Sequence, residues 1–411
     1  MQNVPKSLRL QMVFAGRTNV GKSSLINLLS GQDTAIVSAQ KGTTTDVVEK
    51  AMELRPIGPV LLLDSAGTDD DSELGRLRIE RTLRALDRAD MLLLVTTPGI
   101  WEEDEKSLLS EAQKRNIPVI PIINKCDTGE VSAEFVSALT GAAGTEPVTV
   151  NASNPDPGNR SSFIETLVAR MLKLLPEEFF QSFPLLRDLL PSGGQVLMMV
   201  PIDTQAPKGR LILPQVQAIR DALDGDAICT VAKEDIFPEI YSRFTKLPDL
   251  VICDSQVVKK MIDTLPAGVP CTTFSILMAR LKGDLEQLVQ GAKAIGTLQE
   301  NDKVLIAEAC THHAGKDDIG RIKIPMLLQK KCNCKLDFEF FSGSDFPEDL
   351  TPYSLVVHCG GCMLNRKSML NRLAHLAHAG VPVVNYGICI SSCTGVLEKV
   401  ISPFQIGNES R

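Results

Sequence analysis

The chain has 411 residues and a formal net charge of −7, so we expect two or three domains rather than one. Apolar residues make up 44%, which is ample for packed cores and excludes wholesale disorder. The acidic balance argues against a nucleic-acid-binding face, and without an apolar run of about 18 residues we expect no membrane span. The N-terminus lacks a signal-peptide layout, so we expect a cytoplasmic protein, where cysteine pairs more often bind metal than form disulfides.

A phosphate-binding loop follows the first predicted strand. Leu10–Ala15 is an apolar run typical of a buried strand, and Gly16–Ser23 then reads G-x-x-x-x-G-K-S before a helical stretch. Backbone amides of such a loop cradle a β-phosphate, Lys22 reaches the β- and γ-phosphates, and the Ser23 hydroxyl ligates Mg²⁺. The pattern also occurs by chance in unrelated proteins, so by itself it indicates only a phosphate site.

Three further motifs follow in the order that a GTPase requires. Gly42–Asp46 contains threonines, one of which can complete the Mg²⁺ shell while the γ-phosphate is present. Asp64–Gly67 follows an apolar strand, and its aspartate can hold Mg²⁺ through water. Asn124–Asp127 reads N-K-x-D, whose last carboxylate accepts from guanine N1–H and N2–H₂. Each motif stands at the carboxyl end of a strand, where open α/β sheets bind ligands, so we predict a GTP-binding domain.

The residues predicted from these motifs fall into overlapping groups. The predicted nucleotide-binding residues are Gly16, Asn19, Val20, Gly21, Lys22, Ser23, Ser24, Thr43, Thr44, Asp64, Gly67, Asn124, Lys125, Asp127 and Ala152. The predicted catalytic residues are Lys22, Thr44, Asp64 and Gly67, and the predicted Mg²⁺ ligands are Ser23 and Thr44.

The details of these motifs resemble one branch of the small GTPases. The patterns G-x-x-N-x-G-K-S and G-T-T-x-D are similar to those of the TrmE–Era-like branch. In its potassium-stimulated members the asparagine at the position of Asn19 helps to coordinate K⁺, although Asn19 could instead cap its own turn. Thr68 stands where Ras-like enzymes carry a water-positioning glutamine, so we expect slow turnover. Asn151–Ser153, which includes Ala152, is the counterpart of the guanine-contacting S-A-x motif without its leading serine.

The middle of the chain carries neither a nucleotide motif nor a metal-ligand spacing. Predicted strands at Gln195–Val200, Ala227–Val231 and Leu250–Cys253 alternate with helices, which indicates a second, smaller α/β unit. A module without a site of its own often forms an interface, so we expect a homodimer formed through this part.

Metal-ligating residue types are concentrated in two fragments of the last third. The strand-like run Lys303–Ala307 leads to a C-x-H sequence that begins at Cys310, and forty-five residues after that motif Leu355–Val357 leads to H-C-G-G-C with Cys359 and Cys362. Strands that alternate with helices form mostly parallel sheets, so both fragments should lie at one sheet edge. Three thiolates suit a 4Fe–4S cluster with one weaker ligand, and with a histidine they suit zinc equally well. Buried cysteines without metal are the remaining possibility.

Together with the GTPase motifs, C-T-H and H-C-G-G-C resemble the HydF family, the GTPases that mature the catalytic site of FeFe-hydrogenases. The resemblance extends over nearly the whole chain, including Ala206–Ile212 and Asp318–Arg321. It implies a 4Fe–4S cluster on Cys310, Cys359 and Cys362, and a homodimer formed by the middle domain. It also implies a scaffold that receives a diiron precursor made with the radical-SAM maturases HydE and HydG and delivers it to apo FeFe-hydrogenase, with GTP turnover governing partner interactions.

The fourth cluster ligand stays open on the sequence alone. Glu308 lies two residues before Cys310, hence on the same strand face, and we prefer it to His358 and His312. Each of the three could instead be a hydrogen-bonding neighbour of the cluster. No role is predicted for Cys332, Cys334, Cys389 and Cys393.

The sequence therefore predicts an α/β protein of three domains, a P-loop GTPase fold followed by two further α/β units with mostly parallel sheets. The predicted domains are 1–176 for GTP binding, 185–273 for dimerisation and 274–411 for the iron–sulfur cluster. The alternative is a TrmE–Era-like GTPase with a Cys₃His zinc site that acts in RNA or ribosome maturation, against which the acidic balance argues. A third hypothesis, a metalloenzyme whose cluster carries out catalysis, ranks last, because the radical-SAM motif C-x-x-x-C-x-x-C does not occur in the sequence.

Overall fold

The computed structural model describes residues 5–31, 48–65, 67, 73–154, 156–175, 183–201, 211–309, 318–343, 347 and 349–406. The chain forms two compact units, Met1–Ser182 and Phe183–Arg411. Four predicted site residues, Thr43, Thr44, Cys310 and His312, lie outside the described residues.

The first unit contains a six-stranded sheet with the order β2-β3-β1-β4-β5-β6. Its strands are β1 (Leu10–Ala15), β2 (Val48–Leu54), β3 (Gly58–Asp64), β4 (Met91–Thr96), β5 (Val119–Ile123) and β6 (Val148–Thr149). Its helices are α1 (Lys22–Ser30), α2 (Glu73–Leu86), α3 (Glu103–Lys114), α4 (Ala133–Ala143) and α5 (Pro157–Leu174). Strand β2 is antiparallel to β3, and the other pairs are parallel.

The apolar runs of this sheet are buried on both faces. In β1, Met12 and Phe14 belong to one apolar core, whereas Val13 and Ala15 belong to another. Successive side chains of a strand point to opposite faces, so a strand covered by helices on both sides needs a continuous apolar sequence. The parallel pairing then brings the carboxyl ends of β1, β3, β4 and β5 to one edge of the sheet.

The second unit contains two four-stranded parallel sheets with the orders β10-β9-β7-β8 and β12-β11-β13-β14. The strands are β7 (Gln195–Met199), β8 (Ile228–Ala232), β9 (Leu250–Cys253), β10 (Cys271–Thr273), β11 (Lys303–Glu308), β12 (Asp337–Ser342), β13 (Leu355–His358) and β14 (Val383–Asn385). The helices are α6 (Leu213–Asp224), α7 (Phe237–Ser242), α8 (Val258–Thr264), α9 (Phe274–Lys282), α10 (Leu285–Gly291), α11 (Ile324–Cys332), α12 (Arg366–His378), α13 (Tyr386–Cys393) and α14 (Leu397–Ile401).

Several short helices complete the described secondary structure. They are 3₁₀ helices at Lys6–Leu8, Arg187–Leu189, Ser255–Val257, Ala292–Thr297 and Ser402–Phe404 and a π-helix at Ile319–Lys323.

The two sheets of the second unit share one apolar core. Leu197 and Met199 of β7 belong to the same cluster of buried side chains as Leu305 of β11 and Val357 of β13. The predicted fold class, a P-loop GTPase fold followed by α/β structure with mostly parallel sheets, is confirmed. The predicted division of this region near residue 274 stays a prediction.

Candidate functional site

The loop between β1 and α1 closes tightly around its own backbone. Gly21 has φ +92°, and a Cβ atom there would lie 2.3 Å from Asn124 Nδ2. Only glycine fits such a position, because a side chain would both clash and strain the backbone. Lys22 Nζ folds back over the loop and donates to the carbonyl oxygens of Gly16 at 3.0 Å and Arg17 at 2.7 Å. The lysine therefore lies over the amides that would cradle a phosphate.

Ser23 and Asp64 meet beside this loop. The Ser23 hydroxyl donates to Asp64 Oδ2 at 2.5 Å. Burial raises the pKa of the Asp64 carboxyl, while the hydrogen bond from Ser23 and the charge of Lys22 oppose that rise. Mg²⁺ prefers oxygen ligands, and both side chains offer oxygen atoms, but their role as Mg²⁺ ligands stays a prediction. Gly67 also lies against the loop, since a Cβ atom there would be 2.1 Å from Thr18 Oγ1.

Asn124 joins the phosphate loop to the predicted base-binding segments. Its buried side chain donates from Nδ2 to the Val20 carbonyl at 2.8 Å and accepts at Oδ1 from the Ala152 amide at 2.9 Å. Lys125 has a left-handed φ of +57°, and the Asp127 side chain is exposed. The structure thus brings together residues from three of the predicted motifs and leaves a carboxylate open to a base.

The remaining predicted loop residues carry exposed side chains. Asn19 has φ +62°, a conformation that asparagine tolerates better than most residues, and Ser24 lies in the first turn of α1. The K⁺ role of Asn19 and the nucleotide contact of Ser24 stay predictions.

Arg17 is a loop residue whose role the sequence analysis did not predict. Its guanidinium lies at the N-terminus of α3, where Nη2 is 2.6 Å from Glu102 Oε2 and 3.3 Å from Asp104 Oδ2, and Nε is 3.0 Å from Glu105 Oε1. Glu105 is fully buried and also accepts from the Glu102 amide at 3.0 Å. The run of acidic residues at 102–105 predicts a helix start, but only the tertiary structure shows that it holds the phosphate loop.

In the second unit, the carboxyl ends of β11 and β13 bring the two cysteine fragments to one sheet edge. Ala307 pairs with His358, and the Cys359 amide donates to the Ala307 carbonyl at 2.8 Å. The Cys359 sulfur accepts from the amides of Ala309 at 3.1 Å and Gly361 at 3.4 Å. Amide donors of this kind suit a thiolate ligand, because they stabilise its negative charge.

His358 is buried and uses both ring nitrogens within the protein. Arg372 Nη1 donates to His358 Nε2 at 2.9 Å, so Nδ1 carries the proton and donates to the Cys359 carbonyl at 2.7 Å. Burial, together with the nearby Arg372 charge, lowers the pKa of His358 to about 4, although the bond to Cys359 opposes the shift. In this arrangement His358 orients the cysteine loop and offers no free lone pair to an iron.

Glu308 is also buried, but only one of its oxygens is bonded. Oε2 accepts from Arg321 Nη2 at 3.1 Å and from the Ser342 hydroxyl at 2.8 Å. Oε1 is buried and has no hydrogen-bond partner among the residues that the structure describes. An unsatisfied buried carboxylate oxygen is costly, so this atom fits a site that receives another ligand.

The metal-binding predictions can be compared with the structure only in part. The side chains of Cys359 and Cys362 are half-buried and form no disulfide with another described cysteine. Within the described ranges, no three His, Cys, Asp or Glu side chains converge in a metal-binding group, and Cys310 is outside those ranges. The donors present fit a thiolate-bound cluster in kind, since the thiols of Cys359 and Cys362 follow β13, two amides donate to the Cys359 sulfur, and the neighbouring strand β11 ends at Glu308 with its unbonded carboxylate oxygen.

The four cysteines without a predicted role lie in or beside two helices. Cys389 is buried in α13 and Cys393 ends that helix, while Cys332 ends α11 and donates to the Leu328 carbonyl at 2.9 Å. A hydrogen bond to Cys332 is the main factor that raises the pKa of Cys334, to about 11. These contacts are compatible with structural thiols.

None of the helices described is both long enough and apolar enough to cross a membrane.

Three family models match the chain in succession. Residues 11–125 match a model described as 50S ribosome-binding GTPase. Residues 185–283 match the hydrogen maturase F dimerization domain, and residues 286–403 match the hydrogen maturase F tetramerization domain. The sequence analysis predicted a homodimer, and these two models support oligomerisation of the chain.

Curated relatives match over a shorter stretch. The tRNA modification GTPase MnmE of Synechococcus sp. (strain JA-3-3Ab) is 46% identical over 122 residues, 29% of this chain and 26% of the relative. MnmE of Cupriavidus metallidurans is 39% identical over 158 residues, 36% of this chain and 32% of the relative. The chain thus spans about a quarter to a third of the length of these relatives.

Solved structures of other proteins also resemble part of the chain. A probable GTP-binding protein engB is 19% identical, with a TM-score of 0.31, and the match covers 40% of this chain and 97% of that one. The G domain of the T. maritima FeoB iron transporter is 22% identical, with a TM-score of 0.32, over 42% and 99% of the two chains.

The models and the geometry agree on the nature of the first unit. Its phosphate loop, its Ser23–Asp64 pair and the GTPase family model identify a GTPase domain that binds GTP and Mg²⁺. Two domain models of a single maturase follow it and extend through the second unit. The chain belongs to the hydrogen maturase F (HydF) family.

Proposed function

We propose that the protein is a scaffold for FeFe-hydrogenase maturation that holds a 4Fe–4S cluster and carries a diiron precursor to apo-hydrogenase. The cluster would be held by Cys310, Cys359 and Cys362. The observation that carries this proposal is the Cys359 sulfur, which accepts two backbone amides at the edge shared by β11 and β13. Ala309, which supplies one of those amides, directly precedes Cys310 in the sequence.

The same edge supports Glu308 as the fourth ligand. Arg321 and Ser342 hold one of its carboxylate oxygens, and the other is buried without a partner among the described residues. His358 is less suited, because both of its ring nitrogens are bonded. His312, outside the described residues, stays a candidate. A carboxylate binds iron less strongly than a thiolate, so the iron that it holds would be the exchangeable position of the cluster.

When bound, the cluster would supply an iron with an exchangeable ligand, to which the precursor could attach. The contribution of the chain is to hold and shield this position. His358 and Arg372 fix the loop from one side through a continuous set of hydrogen bonds, and Arg321 holds Glu308 from the other. HydE, HydG and apo-hydrogenase are the proposed partners, and GTP turnover would control their exchange.

The decisive experiment measures iron and sulfide in protein purified anaerobically, followed by EPR after dithionite reduction. We expect about four irons per chain and a reduced-cluster signal that Cys359→Ala abolishes. Cys229→Ala removes another half-buried thiol of the same unit and should leave both unchanged. Zinc without sulfide would refute the proposal and favour the alternative, a GTPase that acts in RNA or ribosome maturation.

Glu308→Gln tests the proposed fourth ligand, and Glu339→Gln is the matched control. Both substitutions remove a carboxylate in this sheet, but Glu339, which lies on β12, accepts a hydrogen bond from the Tyr353 hydroxyl. We expect the EPR signal to change shape in Glu308→Gln only. An unchanged signal in Glu308→Gln would exclude this residue and leave His312 as the candidate to test.

We further propose that GTP hydrolysis is slow and stimulated by K⁺ through Asn19. The exposed, left-handed Asn19 in the phosphate loop supports this role. Hydrolysis should be faster in K⁺ than in Na⁺, and Asn19→Ala should remove the difference. Equal rates in the two ions for the unmodified protein would exclude the K⁺ site.

A homodimer is proposed to form at the edge strand β8. This strand ends the sheet order β10-β9-β7-β8 and exposes Ile228 and Val231, by 55% and 42%. An apolar edge strand with unpaired backbone groups is a template for another chain, and it lies within the dimerization domain. Val231→Asp should shift the protein toward monomer in sedimentation, whereas Leu172→Asp, at an exposed leucine of α5, should not.

A further inference from the structure

Lys282 carries a buried positive charge directly beneath the cysteine loop. It is the last residue of α9, and only 2% of its surface is exposed. Its ammonium donates to the carbonyl oxygens of Gly361 at 3.1 Å, Cys362 at 2.9 Å and Leu364 at 2.6 Å. An ammonium has three N–H donors, so all of them are directed at the loop that presents the cysteines.

The charge of this lysine has no carboxylate partner in the described part of the chain. Its polar contacts there are the three loop carbonyls. An uncompensated buried charge costs several kcal/mol. The negative charge of a thiolate-bound cluster on this loop would therefore stabilise a cation in this place.

From this arrangement we infer that Lys282 is a positioning residue for the proposed cluster. Its three hydrogen bonds hold the Gly361–Leu364 backbone, which carries Cys362 and directly follows Cys359 and Gly360, and its charge offsets the negative charge of a thiolate-bound cluster. The inference rests on the proposed function. A positive charge near a cluster favours its reduced, more negative state, so Lys282 raises the reduction potential.

The two parts of the inference are separated by two substitutions. Lys282→Met keeps most of the side-chain length but removes the charge and the three donors. Lys282→Arg keeps the charge but changes the geometry with which it meets the loop carbonyls. Lys323→Met is the matched control, because Lys323 lies in the same unit and its ammonium donates to Gln256 rather than to the cysteine loop.

The experiment uses the full chain reconstituted with iron and sulfide under identical anaerobic conditions. An EPR-monitored redox titration measures the reduction potential, and the loss of iron to a chelator measures how firmly the cluster is held. We expect a more negative potential in Lys282→Met and iron loss about tenfold faster, the scale typical of outer-shell residues. Lys282→Arg should keep the potential but lose iron faster, and Lys323→Met should match the unmodified protein in both.

Each outcome has a separate meaning. If the unmodified protein binds no cluster, the proposed function fails and the inference fails with it. If the cluster forms and Lys282→Met shows the unmodified potential and chelator rate, the inference alone is overturned. Should Lys282→Met fail to fold, Lys282→Arg still tests the positioning role, because an unchanged rate of iron loss in that variant would overturn it.

Discussion

Replacing Arg17 by glutamine should destabilise the first unit far more than replacing Arg115 by glutamine. Arg115 also pairs with acidic side chains in and near α3. Arg17 and Arg115 have similarly exposed side chains, 24% and 23%. Both form pairs with carboxylates, Arg17 at the start of α3 and Arg115 just after its end. The two substitutions therefore remove the same chemical group from similar surroundings, and the difference lies in the partners.

The magnitude follows from the burial of those partners. Glu105 is 0% exposed, and Arg17 is its charge partner. Leaving a buried carboxylate without its partner costs about 3–5 kcal/mol, and its remaining bond to the Glu102 amide reduces this to roughly 2–3 kcal/mol. Arg115 pairs with Asp87, which is 55% exposed, and Glu111, and such surface pairs contribute about 0–1 kcal/mol.

The assay is thermal unfolding of the two variants beside the unmodified chain, followed by GTP binding. At about 2–4 °C per kcal/mol for a unit of this size, the melting transition of Arg17→Gln should fall by roughly 4–12 °C and that of Arg115→Gln by only a few degrees. GTP affinity should fall about tenfold in Arg17→Gln alone, because the carbonyl of Arg17 accepts from Lys22 and a loosened loop no longer orients the lysine.

Equal melting shifts for Arg17→Gln and Arg115→Gln would refute the reasoning that burial of the partner decides the cost. Unchanged GTP affinity in a destabilised Arg17→Gln would show that the contact with α3 supports the fold without preparing the phosphate loop.

Two further predictions concern single positions. Gly21→Ala should abolish GTP binding measured by titration, because its Cβ atom would lie 2.3 Å from Asn124 Nδ2, whereas Gly144→Ala, which also has a positive φ but meets nothing within 4 Å, should bind GTP normally. The metal-free second unit should lose stability as the pH falls from about 6.5 to about 4, because the unfolded chain protonates His358 while its folded-state pKa is lowered to about 4. Urea titrations should show a loss of up to about 3 kcal/mol that His358→Asn largely removes, and an unchanged pH slope in that variant would contradict the assignment.

Helix limits show where sequence patterns stop being informative. The helical pattern predicts a helix over 283–294, yet α10 ends at Gly291 and a 3₁₀ turn follows at Ala292–Thr297. A Cβ atom at Gly291 would lie 2.0 Å from the Val383 carbonyl, so the helix ends where its backbone packs against β14. This close contact between Gly291 and β14 joins residues about ninety positions apart in the sequence, so a local sequence pattern cannot predict it.

The sequence by itself determined the class of the fold and the chemistry of the first site. Apolar runs such as Leu10–Ala15 indicate strands covered on both faces, and the phosphate loop indicates a nucleotide because glycines and a lysine at that spacing suit phosphate. Only the tertiary structure decided the roles of single polar groups. It engaged both nitrogens of His358, left one oxygen of Glu308 without a described partner, and buried Lys282 beneath the cysteines. The reason is physical, since hydrogen bonds and burial depend on neighbours that are distant in the chain, whereas strand pattern and loop chemistry are local.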